Sequence, residues 1–223
     1  MDTLGSRMAY DKAKEAINNA GFSAGQAVLS QGYIRTEVAL STTKTSYQFP
    51  ILVNDNINGA SFNTSNLLNL QDAFYVSSIG LFFAKPSSST DTTFQLVTYP
   101  NASIFSTSAA HSAALYTWYN SSLQLTVNNR QIIPSYDLYR HYSVPQQQTT
   151  TAADYSTSTI NYKDQQSGAD SGFYPVEPGW VLVGSKNNTL IVNLPQAMAS
   201  VETNSRAIII FRGHLAQNVT PVR

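Results

Sequence analysis

Residues 114–144 read ALYTWYNSSLQLTVNNRQIIPSYDLYRHYSV, and this stretch sets the expectation for the whole chain. Leu123, Leu125 and Val127 alternate with Gln124, Thr126 and Asn128, giving one apolar and one polar face at the period of a β-strand. Asn128-Asn129 follow, two residues that tolerate the left-handed backbone of a tight hairpin turn. Ile132, Ile133, Tyr136, Leu138 and Tyr142 carry the return. Pro134 has no amide hydrogen, so the returning strand is expected to sit at a sheet edge or bulge there. An isolated hairpin is marginal in water, so the whole stretch is expected to be a long hairpin packed into a larger β-structure.

Further strand patterns flank it. GYIRTEVALS (32–41), SYQFPILV (46–53), AFYVSSIGLFFAKP (73–86) and TFQLVTYP (93–100) precede it. WVLVGSKNNTLIVNLP (180–195) reads as a second hairpin with Asn187-Asn188 in its turn. RAIIIFRGHLAQNV (206–219) is apolar on both faces near Ile208–Phe211, which predicts a central strand covered on both sides. Residues 146–172 form the longest polar stretch and read as a long loop. About eight strands with a few long loops fit an all-β, antiparallel jelly-roll sandwich, with a compact double jelly roll as the alternative.

Residues 1–31 are set apart as an N-terminal helical arm, leaving 32–223 as the β-domain. Helix is expected from about Arg7 to Ala20, with a thin apolar stripe of Met8, Ala13, Ile17 and Ala20. Such a helix is marginal alone, so it either lies on the parent sandwich or is ordered by a neighbouring subunit.

Composition narrows the function. Charged residues are 12% of the 223, and 13 Lys plus Arg balance 13 Asp plus Glu. A net charge of zero gives no long-range attraction to nucleic acid. The chain has no cysteine, so it has no thiolate metal site or cysteine nucleophile. It also has no apolar run of membrane-spanning length and no apolar stretch of signal-peptide type near Met1.

Motifs of chemistry are weak. Asn54–Gly59 (NDNING) resembles a calcium loop, but Asn54 replaces the first carboxylate and Ser65 stands where the bidentate Glu belongs. His111, His141 and His214 have no metal-ligand spacing. Asp137 and His141, four apart on a strand, would lie about 13 Å from each other. Asp154, Asp164 and Asp170 all fall in the polar stretch, where a rigid carboxylate pair is hard to hold. No enzyme, cofactor or metal is expected. Tyr116, Trp118, Tyr119, Tyr136, Tyr139 and Tyr142 form an aromatic band that suits a core, a subunit interface or sugar stacking.

Three stretches, SSLQLTVNNRQIIPSYDLYRHYSVPQ, PGWVLVGSKNNTLIVNLP and RAIIIFRGHLAQNVTPV, together with the extra N-terminal helix, resemble the jelly-roll capsid proteins of icosahedral, tailless, membrane-containing bacteriophages. That resemblance implies a coat subunit that self-assembles into a virion shell in the host cytoplasm. Its partners would be copies of itself, as trimers or higher, other virion proteins, and an underlying membrane reached by the arm. Direct nucleic-acid contact is not expected. Candidate subunit contacts are Met8, Ile17, Phe22, Trp118, Tyr119, Tyr139, Arg140 and His141. The alternative is a carbohydrate- or receptor-binding jelly-roll domain of a virion spike or lectin, with the aromatic band as its platform.

Overall fold

Alternating apolar residues become strands along most of the chain. The computed structural model describes residues 4–23, 25, 27–49, 51, 68–99, 105–106, 108–143 and 172–221. Helix α1 (Leu4–Asn19) is followed by strands β1 (Phe22–Ser23), β2 (Val28–Ala39), β3 (Ser46–Phe49) and β4 (Ala73–Ala84). Two short helices, α2 (Ala109–Ala114) and α3 (Tyr116–Tyr119), precede β5 (Ser122–Val127) and β6 (Arg130–Asp137). A 3-10 turn (Leu138–His141), β7 (Phe173–Val183), β8 (Asn188–Asn193), β9 (Arg206–Gln217) and β10 (Thr220–Pro221) complete the order.

Two four-stranded sheets face each other. One runs β2-β9-β4-β7 and the other β3-β8-β5-β6, with every pairing antiparallel. Their inner faces share one core, including Ile34, Phe74, Phe83, Ile209 and Phe211 from the first sheet and Phe49, Leu123, Leu125, Leu190 and Val192 from the second. This is the all-β sandwich that the alternation predicts. β9 is central as expected: Ile209 and Phe211 point into that core, while Ile208 and Ile210 pack on the opposite face with Phe82, Phe94 and Phe173.

The β5–β6 hairpin forms as read. Asn128 and Asn129 take φ of 48° and 61°, the left-handed pair its turn requires. The Asn128 side-chain oxygen also accepts the Asn187 amide at 2.9 Å, tying two turns together. β6 is an edge strand, and its register with β5 shifts between Leu123 and Leu125, close to Pro134.

Four expectations are corrected. Residues 114–119 are helical rather than part of the hairpin. Trp118 and Tyr119 are adjacent and both fully buried, whereas a strand would send them to opposite faces. The helical turn instead lays both into the end of the sandwich. Second, β6 stops at Asp137, whose carboxylate accepts the Tyr139 amide at 2.9 Å and caps the 3-10 turn. The strand spacing assumed for Asp137 and His141 therefore does not apply. Third, 93–99 makes only a single bridge, Phe83 to Val97. Phe94 and Leu96 lie across the outer face of the first sheet instead of pairing in it. Fourth, β7 and β8 are not a hairpin. The chain crosses from one sheet to the other at Gly184–Asn187. A Cβ at Gly184 would collide with the Asn69 carbonyl, and the buried Asn188 side chain donates to the carbonyls of Val183 (2.9 Å) and Lys186 (3.0 Å). Asn188 thus begins the return strand and holds the crossing from inside.

The helix lies on its own sandwich. Ala13 and Ile17, one turn apart, are fully buried against Ala73, Tyr75, Val183 and Ala216 on the outer face of the first sheet, beside Phe22. Phe22–Ser23 pair with Thr220–Pro221 as a small separate ribbon, and pairing within the sandwich begins at Val28, opposite Gln217, four residues ahead of the boundary drawn at Gly32.

Trp118 is the largest fully buried side chain and meets Tyr47, Phe49 and Phe83 at centroid distances of 4.8, 6.3 and 5.8 Å. Trp118→Ala is expected to cost about 3–5 kcal/mol in urea denaturation. At the hairpin turn, Asn129→Gly is expected to hold or slightly raise the urea midpoint, because glycine adopts positive φ freely. Asn129→Val is expected to lose about 1–2 kcal/mol in the same measurement.

Candidate functional site

The aromatic band divides by burial. Trp118 and Tyr119 are core, and the Tyr119 hydroxyl donates to the Thr98 carbonyl at 2.6 Å. Tyr136 and Tyr142 are half-buried and pack against the core from its rim. Tyr116 and Tyr139 are exposed. Tyr142 joins these groups: it stacks on Tyr139 (6.0 Å, 9°), tilts toward Tyr116 (5.9 Å) and meets Tyr119 edge-on (5.1 Å). The result is an outward tyrosine patch with its root in the core.

The expected subunit contacts separate in the same way. Met8 (56% exposed), Tyr139 (57%) and Arg140 (side chain 47%) reach the surface. Ile17, Phe22, Trp118, Tyr119 and His141 are buried within this chain's own packing, so as folded they do not face a neighbour. Each is apolar or aromatic, and the sequence pattern does not distinguish burial at home from burial against a copy.

Beside the tyrosine patch, β6 and β7 are the edge strands of opposite sheets, and a cleft of about 550 Å³ opens between them. Ile133, Tyr136, Arg140, Tyr174, Glu177 and Trp180 line it. The Arg140 guanidinium sits 5.7 Å from the Tyr136 ring and 5.1 Å from the Tyr174 ring, held by cation–π attraction. Trp180 meets Tyr136 edge-on at 5.5 Å. Such a cleft offers flat aromatic faces with a guanidinium donor between them. Sequence reading missed it because its two walls come from strands some 40 residues apart in the chain, brought together only by sandwich packing.

His141 lies behind this cleft, with its Nε2 3.2 Å from the Tyr136 hydroxyl. Burial pushes its pKa down to about 4 and pushes the Tyr136 hydroxyl up. His141 is thus a neutral packing group.

A second polar cluster sits at another loop end. The Glu202 carboxylate meets Ser106 Oγ (2.5 Å), His111 Nδ1 (2.7 Å) and Lys85 Nζ (3.1 Å). Serine, histidine and a carboxylate suggest a hydrolytic triad, but the geometry differs. Ser106 Oγ, at 3.2 Å, contacts the same Nδ1 that Glu202 contacts. A relay needs hydroxyl and carboxylate on opposite ring nitrogens. The cluster instead ties residues 85, 106, 111 and 202 together. The Ser106 hydrogen bond, with those from His111 and Lys85, holds the Glu202 carboxyl down to about 2.

Asn54–Gly59, Ser65 and Asp154, Asp164 and Asp170 lie outside the described residues. Among the described residues, no group of three or more His, Asp or Glu side chains comes together as a metal site. No family model matches the chain, and no curated protein is found to be similar to it.

These pKa directions set the acid limb of stability. Between pH 6.5 and about 4 the unfolded chain protonates its histidines while folded His141 resists, as does His214, whose pKa burial also lowers, so stability falls as pH drops. Glu202 adds a lower stage: its contribution is complete above 4.5 and is lost as pH falls through about 2. Urea midpoints measured across pH are expected to show both stages. His141→Asn should reduce the upper one, leaving the part due to His214, and Glu202→Gln should flatten the lower one.

Proposed function

We propose that this chain is a coat subunit of an icosahedral virion, built as a single jelly roll. The observation that carries the fold assignment is the pairing rule of the strands. Counting β2 to β9 as one to eight, first pairs with eighth, second with seventh, third with sixth and fourth with fifth. One long antiparallel hairpin, rolled over on itself, gives that pattern and puts its successive strand pairs alternately in two sheets. A compact double roll would need two such sets.

The functional part draws on the surface. The protein is sparsely charged and neutral, which favours a body tiled against copies over a free, self-repelling monomer. Its tyrosine patch, Arg140 and edge strand β6 are outward and adjacent. Tyrosine and arginine are enriched at subunit interfaces. The helix α1 leaves Met8 and Tyr10 outward and is the element available to a neighbouring copy, another virion protein or an underlying membrane. The neutral charge balance argues against a genome-binding role, and no residue is assigned to catalysis.

Negative-stain electron microscopy and sedimentation velocity test the assignment. Closed shells, or rings of a few subunits, are expected as concentration rises. A monomer that persists at millimolar concentration and never enters a particle would sink it. Tyr139→Ala is expected to lower the assembled fraction about ten-fold while changing monomer stability by less than about 0.5 kcal/mol.

A second reading is favoured by the β6–β7 cleft, whose aromatic faces and guanidinium suit a sugar ring. A glycan array decides it: retention lost in Tyr174→Ala would indicate a receptor- or carbohydrate-binding domain. Trp118 is unsuited to that test, because it lies in the core.

A further inference from the structure

Among the described residues, the outer face of the first sheet is covered at both ends and open in the middle. At one end, α1 lies over Ala73, Tyr75, Val183 and Ala216. At the other, Phe94 and Leu96 cover Phe82, Ile208, Ile210 and Phe173. Between them a trough of about 850 Å³ crosses the strands. Strand register defines its floor. Gln31 lies opposite His214 and Tyr75, then Tyr33 opposite Arg212 and Ser78, then Arg35 opposite Ile210 and Gly80.

The middle of a sheet whose flanks are apolar is here polar and cationic. Arg35 and Arg212 line the trough with Tyr33, Gln31, Ser77 and Ser78, and no lining residue is acidic. Both guanidiniums are oriented before any ligand arrives. Arg212 lies 3.6 Å from the Phe173 ring centroid. Arg35 lies 5.3 Å from Phe94 and gives Nε (2.7 Å) and Nη2 (2.5 Å) to Glu37. A guanidinium carries five N–H donors, so the Glu37 contacts leave Arg35 with others. Glu37 is itself shared with Arg206 at 3.2 Å, so its single charge does not cancel the positive side. His214 adds a buried Nδ1 with no hydrogen-bond partner.

We propose that this trough is a binding site for a small ligand carrying two oxyanion groups, of the diphosphate class. Arg35 and Arg212 are diagonal neighbours on paired strands, about 7–8 Å apart at Cα, which suits two charges on one molecule. Arginine forks match phosphate geometry, and restraint by aromatic rings lowers the entropy lost on binding. A nucleic-acid strand is disfavoured as occupant. It needs a track of cations along its length, whereas this trough has two and the chain is neutral overall. The site is complete within one chain, because every residue lining it belongs to that chain.

Isothermal titration of the full chain with inorganic diphosphate tests the proposal, with orthophosphate and a single-stranded oligonucleotide as comparators. Saturable binding is expected, tighter for diphosphate than for orthophosphate. Arg212→Gln should weaken it about ten-fold or more, as expected for losing a charge-assisted hydrogen bond. Ser78→Asp, which puts a carboxylate into the trough without removing an arginine, should weaken it to a similar degree. Lys44→Gln, at an exposed position elsewhere, should leave it unchanged. Thermal melts of each variant separate lost binding from lost folding. Absence of saturable diphosphate binding would overturn the proposal. So would equal binding by folded Arg212→Gln and Ser78→Asp, or an oligonucleotide that binds tighter than diphosphate. Sedimentation in parallel reports on assembly, so failure here and failure to assemble are read separately.

Discussion

Each four-stranded sheet has one face that water disfavours, and the fold depends on closing those two faces against each other. The hydrogen bonds of each ladder hold strands within a sheet; between sheets the joining force is apolar burial. Phe83 shows how the closure is locked. From β4 of the first sheet it meets Phe105, Trp118 and Tyr119 edge-on, at 6.5, 5.8 and 5.5 Å. Trp118 in turn reaches Tyr47 and Phe49 on β3 of the second sheet. A four-residue helix therefore works as a plug between sheets.

The two sheets differ in what covers their backs. β5 and β8 of the second sheet alternate buried with half-buried residues, the signature of a sheet with one solvated face. β4 of the first is buried on nearly every residue, and β9 carries buried residues on both faces along Arg206–Phe211. That extra cover comes from α1 at one end and the 87–97 segment at the other. The segment is pinned by a fully buried ion pair, Glu37 with Arg206, whose guanidinium also donates to the Ser89 carbonyl at 2.5 Å. A buried charge pair gains less than its Coulomb attraction suggests, because both ions lose water. Its value here is positional: Arg206 reaches Glu37, the Ser89 carbonyl and the Phe94 ring together, joining the sheet to the cap.

Function on such a framework resides at rims and open faces, since the interior is filled. The β6–β7 cleft, the tyrosine patch and the outer trough all occupy places where the sandwich leaves an edge or face uncovered. In the cleft and the trough, arginines are braced by aromatic rings: Arg140 by Tyr136 and Tyr174, Arg35 by Phe94, Arg212 by Phe173. Bracing of this kind orients a guanidinium, and Arg35 and Arg140 are held further by Glu37 and Asp137. It suits recognition by contact, and none of these places brings together the nucleophile, base and orienting group of acyl transfer.

The order of apolar and polar residues was enough to establish most strands of the two sheets, the inward set Leu123, Leu125 and Val127, the Asn128-Asn129 turn and the double-faced character of β9. Those features depend on neighbours a few residues away, so they are written locally. Whether a strand's partner lies in its own sheet or the opposite one was not written there. Val183 to Asn188 looks like a hairpin because an inter-sheet crossing needs the same alternation and the same tight bend. Trp118 and Tyr119 looked like strand or interface residues until packing buried both at one end. The Glu202 cluster, the cleft and the trough join residues distant in sequence. Local alternation therefore determined which residues point inward. Only the mutual packing of two sheets decided what they meet, because burial is satisfied by any apolar partner while geometry admits one.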